Sequence, residues 1–194
     1  MGSSNNDGNG GRTLMRVFVA IEMPEIVKEE IGRVQDVLRK HNLFQGTYVN
    51  PEHAHLTLQF VGYIEPVALA PIKKLLGSIS FHPIQAKLGC VGTFGSEMVI
   101  KVIWLDVEGK GIVDLVHEIE KALSLGTVAR KRAFQSHVTL ARVKESSDVG
   151  ELRETINEIC VEPIPFTIDE FVLKQSTLTE QGPIYVDLEH YELG

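Results

Sequence analysis

A four-residue pattern occurs twice in the chain, His55-Leu56-Thr57-Leu58 and His137-Val138-Thr139-Leu140, with the two histidines 82 positions apart. Each copy lies inside a strand-like run and follows a segment of helical spacing, so the fold must supply two β-strands in matching contexts. Residues two apart on a strand share a face. His55 and Thr57 then point one way, with Ala54, Leu56, Leu58 and Phe60 on the other side; Val138 and Leu140 stand opposite His137 and Thr139 in the same manner. Each strand can bury its aliphatic face and hold an imidazole and a hydroxyl on the other, which is how rigid elements floor a polar cleft.

The rest of the chain switches repeatedly between periods of two and 3.6. Strands are expected over 16–21, 54–61, 81–91, 97–107, 136–143, 166–174 and 184–191, and helices over 24–40, 66–79, 110–125 and 149–159. The first helix rests on Ile26, Val27, Ile31, Val34, Val37 and Leu38 at helical spacing behind Pro24. Gly92-Thr93-Phe94-Gly95 is read as a hairpin turn and Gly182-Pro183 as the break before the last strand. Strands and helices mixed with hairpin-length links predict an α+β fold built on largely antiparallel sheet rather than a doubly wound parallel one. No Gly-rich dinucleotide or phosphate-loop fingerprint follows any strand. Gly2 to Thr13 carry no hydrophobic residue and have nothing to bury, so residues 1–14 read as a disordered tail or an appended leader, with Met15 as the natural start, and 15–194 as one domain.

Composition narrows the partners. The chain of 194 residues can bury a proper core, and its 43% hydrophobic and 23% charged residues are those of a globular protein. A formal charge of −7 argues against coating duplex DNA through a broad phosphate footprint, though it leaves room for a local basic pocket. Cys90 and Cys160 form no metal or disulfide pattern, which suits a reducing, cytoplasmic setting. The longest apolar stretches fall well short of the roughly 20 residues that span a bilayer, so no membrane association is expected.

The paired motif has a chemistry. Hydrolysing a phosphodiester requires a base that takes a proton from the attacking water and an acid that gives one to the leaving alkoxide. Imidazole can do either near neutral pH. Two threonine hydroxyls can donate to the non-bridging phosphate oxygens and stabilise the charge that grows on them, with no cofactor or metal required. A single His-x-Thr is what a half-exposed strand carries by chance; with two copies, spacing alone leaves a structural and a catalytic reading both open.

From Met15 to the C-terminus the chain resembles the 2H phosphoesterase superfamily, and within it the RNA 2′,3′-cyclic phosphodiesterases also called 2′-5′ RNA ligases. The resemblance is carried, in order, by Arg16-Val17-Phe18-Val19-Ala20-Ile21, by His55 to Gly62 (HLTLQFVG), by Val102-Ile103-Trp104, by Ser136 to Val143 (SHVTLARV), and by Ser176-Thr177-Leu178-Thr179 with Gly182-Pro183-Ile184-Tyr185. It implies a bilobal α+β fold, two pseudo-symmetric antiparallel sheets with flanking helices around a central cleft. It implies opening of an RNA-terminal 2′,3′-cyclic phosphate to a 2′-phosphate, with 2′-5′ joining as a weak side activity in part of the family. On that template His55 protonates the departing 3′ oxygen, His137 activates water, and Thr57 and Thr139 hold the phosphate. The partners implied are RNA ends or small cyclic nucleotides; a monomer is expected, although oligomeric state is not written in the sequence. A nucleotide- or RNA-end-binding module that keeps the cleft without turnover is the competing class.

Secondary residues carry conditions. Arg142 matches an arginine that the family uses to neutralise phosphate, yet strict alternation puts it opposite His137, so that role requires a bulge before it. Parity likewise sets Phe60 with Leu56 and Leu58, which favours core packing over stacking on an RNA base. Arg130-Lys131-Arg132, the densest basic run, is either a solvated loop or a guide for an RNA strand. His53 and His55 have a spacing that could hold a metal, but no matching carboxylate or Cys pattern stands nearby, so no metal site is assigned.

Overall fold

The computed structural model describes residues 14–123, 134–180 and 182–194. The chain opens with β1 (Met15–Glu22) and α1 (Glu25–His41). Pro24 sets the first turn of that helix, Glu25 lies at its positive end and Arg39, Lys40 and His41 at its negative end, and Asn42 closes it in the left-handed conformation. Then follow β2 (Phe44–Tyr48), a 3-10 turn (Pro51–His53), β3 (His55–Ile64), a second 3-10 turn (Pro66–Ala68), α2 (Leu69–Leu76), β4 (Ile84–Ser96) and β5 (Val99–Gly109). The rest comprises α3 (Ile112–Ala122), β6 (His137–Ser146), α4 (Val149–Glu158), β7 (Pro165–Ile168), β8 (Glu170–Thr179) and β9 (Gly182–Glu192). The Asp148 carboxylate caps α4 by accepting from Glu151 N–H.

Among the described residues all nine strands join one sheet, in the order β7-β4-β5-β6-β3-β1-β8-β9, with β2 added alongside β6. Every pairing is antiparallel. The two lobes expected from the resemblance are present as half-sheets, β9-β8-β1-β3 and β6-β5-β4-β7, and they meet at one pair, Leu56 against Val138. A pseudo-twofold through that pair exchanges β3 with β6, β1 with β5, β8 with β4 and β9 with β7. The first half-sheet draws its strands from the two ends of the chain and the second from its middle. The aliphatic faces of both motif strands enter one core, where Leu56, Leu58, Val138 and Leu140 pack with Val27, Ile31, Val34 and Leu38 of α1.

Four expectations change. Gly92 to Gly95 is not a turn: β4 runs through it, and the chain reverses at Glu97-Met98 instead. Gly92 is needed because the Trp104 ring lies where its Cβ would be, and Gly95, at φ 152°, because a Cβ would meet the Val99 carbonyl. The single strand expected over 166–174 is two, broken at Asp169, with β7 on β4 and β8 on β1. The helix expected over 66–79 begins as a 3-10 turn and is helical only from Leu69, with Pro71 in its first turn, where a missing N–H costs nothing. β2 has no counterpart in the expected elements. The end of the helix expected over 110–125 runs beyond Leu123, outside the described residues, as does the tail at 1–13.

Candidate active site

The pair Leu56–Val138 centres the two motifs on each other. Its antiparallel register sets His55 opposite Thr139 and Thr57 opposite His137. In a regular pair that leaves the two histidine positions diagonal neighbours, about 7–8 Å apart. All four polar side chains are half-buried, while Leu56, Leu58, Val138 and Leu140 are fully buried beneath them.

Each imidazole is held in the same way. His55 Nδ1–H donates to the carbonyl of His53 at 2.8 Å, and His137 Nδ1–H to the carbonyl of Gln135 at 2.7 Å. A carbonyl can only accept, so both rings carry their proton on Nδ1 and keep Nε2 for exchange with a ligand. His53 lies in the 3-10 turn and not on the strand face with His55; its carbonyl, rather than its ring, is what serves His55.

The rings are also walled. His55 packs against Phe18 (5.2 Å between centroids) and edge-on to Tyr185 (5.1 Å), and His137 against Phe94 (4.9 Å) and Trp104 (5.9 Å). Burial pushes both imidazoles below their ordinary range. For His55 the His53 carbonyl opposes this and the Lys174 charge adds to it; for His137 the Gln135 carbonyl and Asp106 oppose it and Arg142 adds to it.

Two bulges settle the parity questions. β3 slips by one residue at Leu58 against β1, so Thr57 faces Ala20 but Phe60 faces Phe18. Ala20 and Phe18 share a face, which brings Phe60 onto the side of His55 and Thr57. The core-packing expectation for Phe60 is therefore overturned: it is 56% exposed, its ring 6.1 Å from Phe18. β6 slips at Leu140 against β5, so His137, Thr139 and Arg142 face Asp106, Trp104 and Val102, three alternate residues of one strand. Arg142 thus stands on the motif face. Leu58 and Leu140 occupy the same place in the two motifs, and so do Phe60 and Arg142.

Several residues at the site escaped the sequence reading. Gln35 is fully buried, and its Nε2 donates to the carbonyls of Val49 (2.7 Å) and of the bulged Leu140 (3.0 Å). Arg39 donates to its Oε1 at 3.3 Å. The signal was a polar side chain set among Ile31, Val34 and Leu38 on the apolar stripe of α1. Lys174, only 5% exposed, donates to both Glu22 and Asp187. Burial works against its charge, but the hydrogen bonds to Asp187 and Glu22 outweigh that and raise its pKa. With Glu52, His53 and Tyr185 these three line a hollow of about 170 Å³ beside His55. On the other lobe Asp106 accepts from Gln135 (3.2 Å), its pKa raised by burial and by Glu108. Among the described residues no three His, Cys, Asp or Glu side chains cluster in a way that could hold a metal. Arg130, Lys131 and Arg132 lie outside the described residues.

A sheet duplicated about two fixed, walled imidazoles defines the class, and comparison with known proteins agrees. The model of the LigT-like phosphoesterase family matches the chain twice, over residues 21–104 and 105–185. The chain belongs to the LigT-like phosphoesterase family. It is 33% identical over 172 residues to the RNA 2′,3′-cyclic phosphodiesterase of Methanocaldococcus jannaschii, covering 88% of this chain and 96% of that one. It is 33% identical over 174 residues to the protein of the same name from Thermotoga maritima, with 88% and 91% covered. In fold it resembles TT0787 of Thermus thermophilus, with TM-score 0.79 at 24% identity over 92% of this chain and 98% of that one. It also resembles LigT of Escherichia coli in its apo form, with TM-score 0.73 at 22% identity over 93% and 98%. No helix among the described residues is long and apolar enough to cross a membrane.

Proposed function

We propose that this protein hydrolyses the 2′,3′-cyclic phosphate at an RNA end to a 2′-phosphate by two-histidine acid and base catalysis. The observation that carries the reading is the matched pair of imidazoles, each fixed through Nδ1 to the carbonyl two residues before it, on strands that meet at the centre of the two motifs. The names of the relatives support the substrate.

In the reaction the neutral His137 takes a proton from water as the water oxygen bonds to phosphorus. The bond from phosphorus to O3′ breaks, and His55, protonated on Nε2, delivers its proton to O3′. Thr57 and Thr139 donate to the non-bridging oxygens, and Arg142 neutralises their growing charge. With the 5′-hydroxyl of a second RNA end in place of water, the same groups would form a bond from O5′ to phosphorus as the bond to O3′ breaks, leaving a 2′-5′ linkage as a weak side reaction.

The test is product analysis after incubation with an RNA bearing a 2′,3′-cyclic phosphate, with chelator present. Conversion to a 2′-phosphate at an undiminished rate is expected. Activity that vanishes with chelator and returns with zinc or manganese overturns the metal-free mechanism. Binding of the RNA end with no product makes the protein a binding module instead.

A further inference from the structure

A carboxylate stands directly across the neighbouring strand from each histidine, Glu22 on β1 from His55 and Asp106 on β5 from His137. The pseudo-twofold makes them counterparts, and they are used differently. Glu22 is engaged, since it accepts from the buried Lys174 ammonium. The His53 carbonyl that fixes His55 does not depend on it. That carbonyl is set by the 3-10 turn, where His53 N–H donates to Asn50 and Ala54 N–H to Pro51, both at 2.9 Å.

Asp106 is placed to act on its histidine. Among the described residues no cation pairs with it; its Oδ1 accepts from Gln135 Nε2 at 3.2 Å. Gln135 is also the residue whose carbonyl holds His137 Nδ1–H, at 2.7 Å. One residue thus ties the carboxylate to the group that fixes the ring, in a stretch that belongs to no helix or strand. β4 makes room for the carboxylate: Leu88 pairs with Val107 and Val91 with Leu105, so Gly89 and Cys90 together oppose Asp106. A Cβ on Gly89 would lie 3.0 Å from Asp106 Cβ and 3.1 Å from its Oδ2.

A base that takes a proton from water becomes an imidazolium, and here it does so between Phe94 and Trp104, out of full contact with solvent. A carboxylate across the strand stabilises that cation over the neutral ring and so strengthens the base. The proton must also stay on Nδ1, so that Nε2 is the atom that accepts. We propose that Asp106 is the positioning residue of His137: through Gln135 it fixes the carbonyl that holds Nδ1–H, and across the strand its charge favours the imidazolium formed when water gives up its proton. The inference rests on the reaction proposed above and adds what equips His137, rather than His55, to be its base. Burial is the largest influence on the His137 pKa and depresses it; the Gln135 carbonyl and Asp106 work against that, and Arg142, on the same strand, works with it. Among the described residues β4 brings only the Phe94 ring to His137 and β3 brings Thr57, while His55 lies diagonally across the Leu56–Val138 pair.

The test separates charge from tether. Asp106→Asn keeps an oxygen for Gln135 and removes the charge; Gln135→Ala keeps the charge and the main-chain carbonyl and removes the tether. In Asp106→Asn the His137 ring, followed by NMR titration, should titrate roughly one pH unit lower, with His55 unmoved. Its kcat on a 2′,3′-cyclic phosphate should fall about three- to tenfold at about pH 8, above the ordinary imidazole range, with KM unchanged. That loss should shrink as pH falls, because the weaker base stays neutral further into acid. Gln135→Ala should lower kcat at every pH, and its ring nitrogen spectrum should show the His137 proton no longer confined to Nδ1. Glu108→Gln removes a carboxylate two residues along the same strand that Lys87 engages at 3.0 Å, and should leave kcat unchanged. Turnover by the intact protein with an unmoved His137 titration in Asp106→Asn overturns this inference alone. So does a rate loss that Glu108→Gln shares, or a Gln135→Ala protein with its rate and Nδ1 proton intact. No turnover by the intact protein at any pH overturns the reaction itself, and this inference with it.

Discussion

The half-sheets around β3 and β6 share a scaffold and differ in what fills it. Both hold a histidine by the carbonyl two residues back, both present a threonine two residues on, and both slip by one residue at the next leucine. After the slip one lobe turns an aromatic ring, Phe60, to the motif face and the other a guanidinium, Arg142. Behind the histidines the contrast continues: Lys174 with its two carboxylates stands near His55, and Asp106 with Gln135 near His137. In the proposed reaction the symmetric frame would set where the phosphate lies, and its unequal filling would give one lobe an aromatic surface and the other a positive charge to offer the ligand.

The comparison can be broken most sharply at the histidines. His55→Ala and His137→Ala should each lower kcat by at least about a hundredfold, the scale of a positioned acid or base, with the far-ultraviolet circular dichroism unchanged. Near-normal turnover in either folded variant removes that histidine from the reaction.

The threonines should show a smaller, matched loss. Thr57→Ala and Thr139→Ala are each expected to cost about 2 kcal/mol in kcat/KM, as for one preorganised donor to a developing charge. If both are silent, the phosphate binds elsewhere.

Where the lobes differ, kinetic signatures should differ too. Arg142→Ala should act mainly on kcat and Phe60→Ala mainly on KM, each by roughly tenfold, in line with charge neutralisation and stacking. Gln35→Ala strips the Val49 and Leu140 carbonyls of a donor and should destabilise the protein by about 1–3 kcal/mol in denaturant unfolding. If Gln35 also holds the bulge that aims Arg142, its effect on kcat should disappear in an Arg142→Ala background.

The smallest effect expected is in pH. Burial depresses both imidazoles, so the bell of kcat/KM, which reports the free enzyme, should peak on the acid side of the ordinary value of about 6.5. A bound phosphate anion favours imidazolium, so the bell of kcat should lie at higher pH. The unfolded chain takes up protons on these residues before the folded one does. Stability should therefore be unaffected by them above about pH 6.5 and fall as pH drops from there toward the depressed folded values, a slope that His55→Ala and His137→Ala should flatten in thermal melts.

Local chemistry made most of the site legible from sequence. Alternation alone assigns His55 and Thr57, and His137 and Thr139, to one face of each strand, and the 82-residue repeat pairs the two motifs. Helical spacing found α1, α4 and the start of α3 to within a few residues, because their apolar stripes are continuous. Tertiary structure decided the rest. A bulge is a mismatch between two strands, invisible in either one alone, and three such slips put Phe60, Tyr63 and Arg142 on the cleft face against the parity of their own sequence. Only Asp169 separates β7 from β8, yet they serve opposite half-sheets, since partner choice depends on which edges lie open. Gln35 looks like one polar residue in a helix until the Leu140 carbonyl, 105 residues on, arrives to use it. Periodicity is a property of one segment and can be read from it; register and pairing belong to two segments at once, and only the folded chain brings them together.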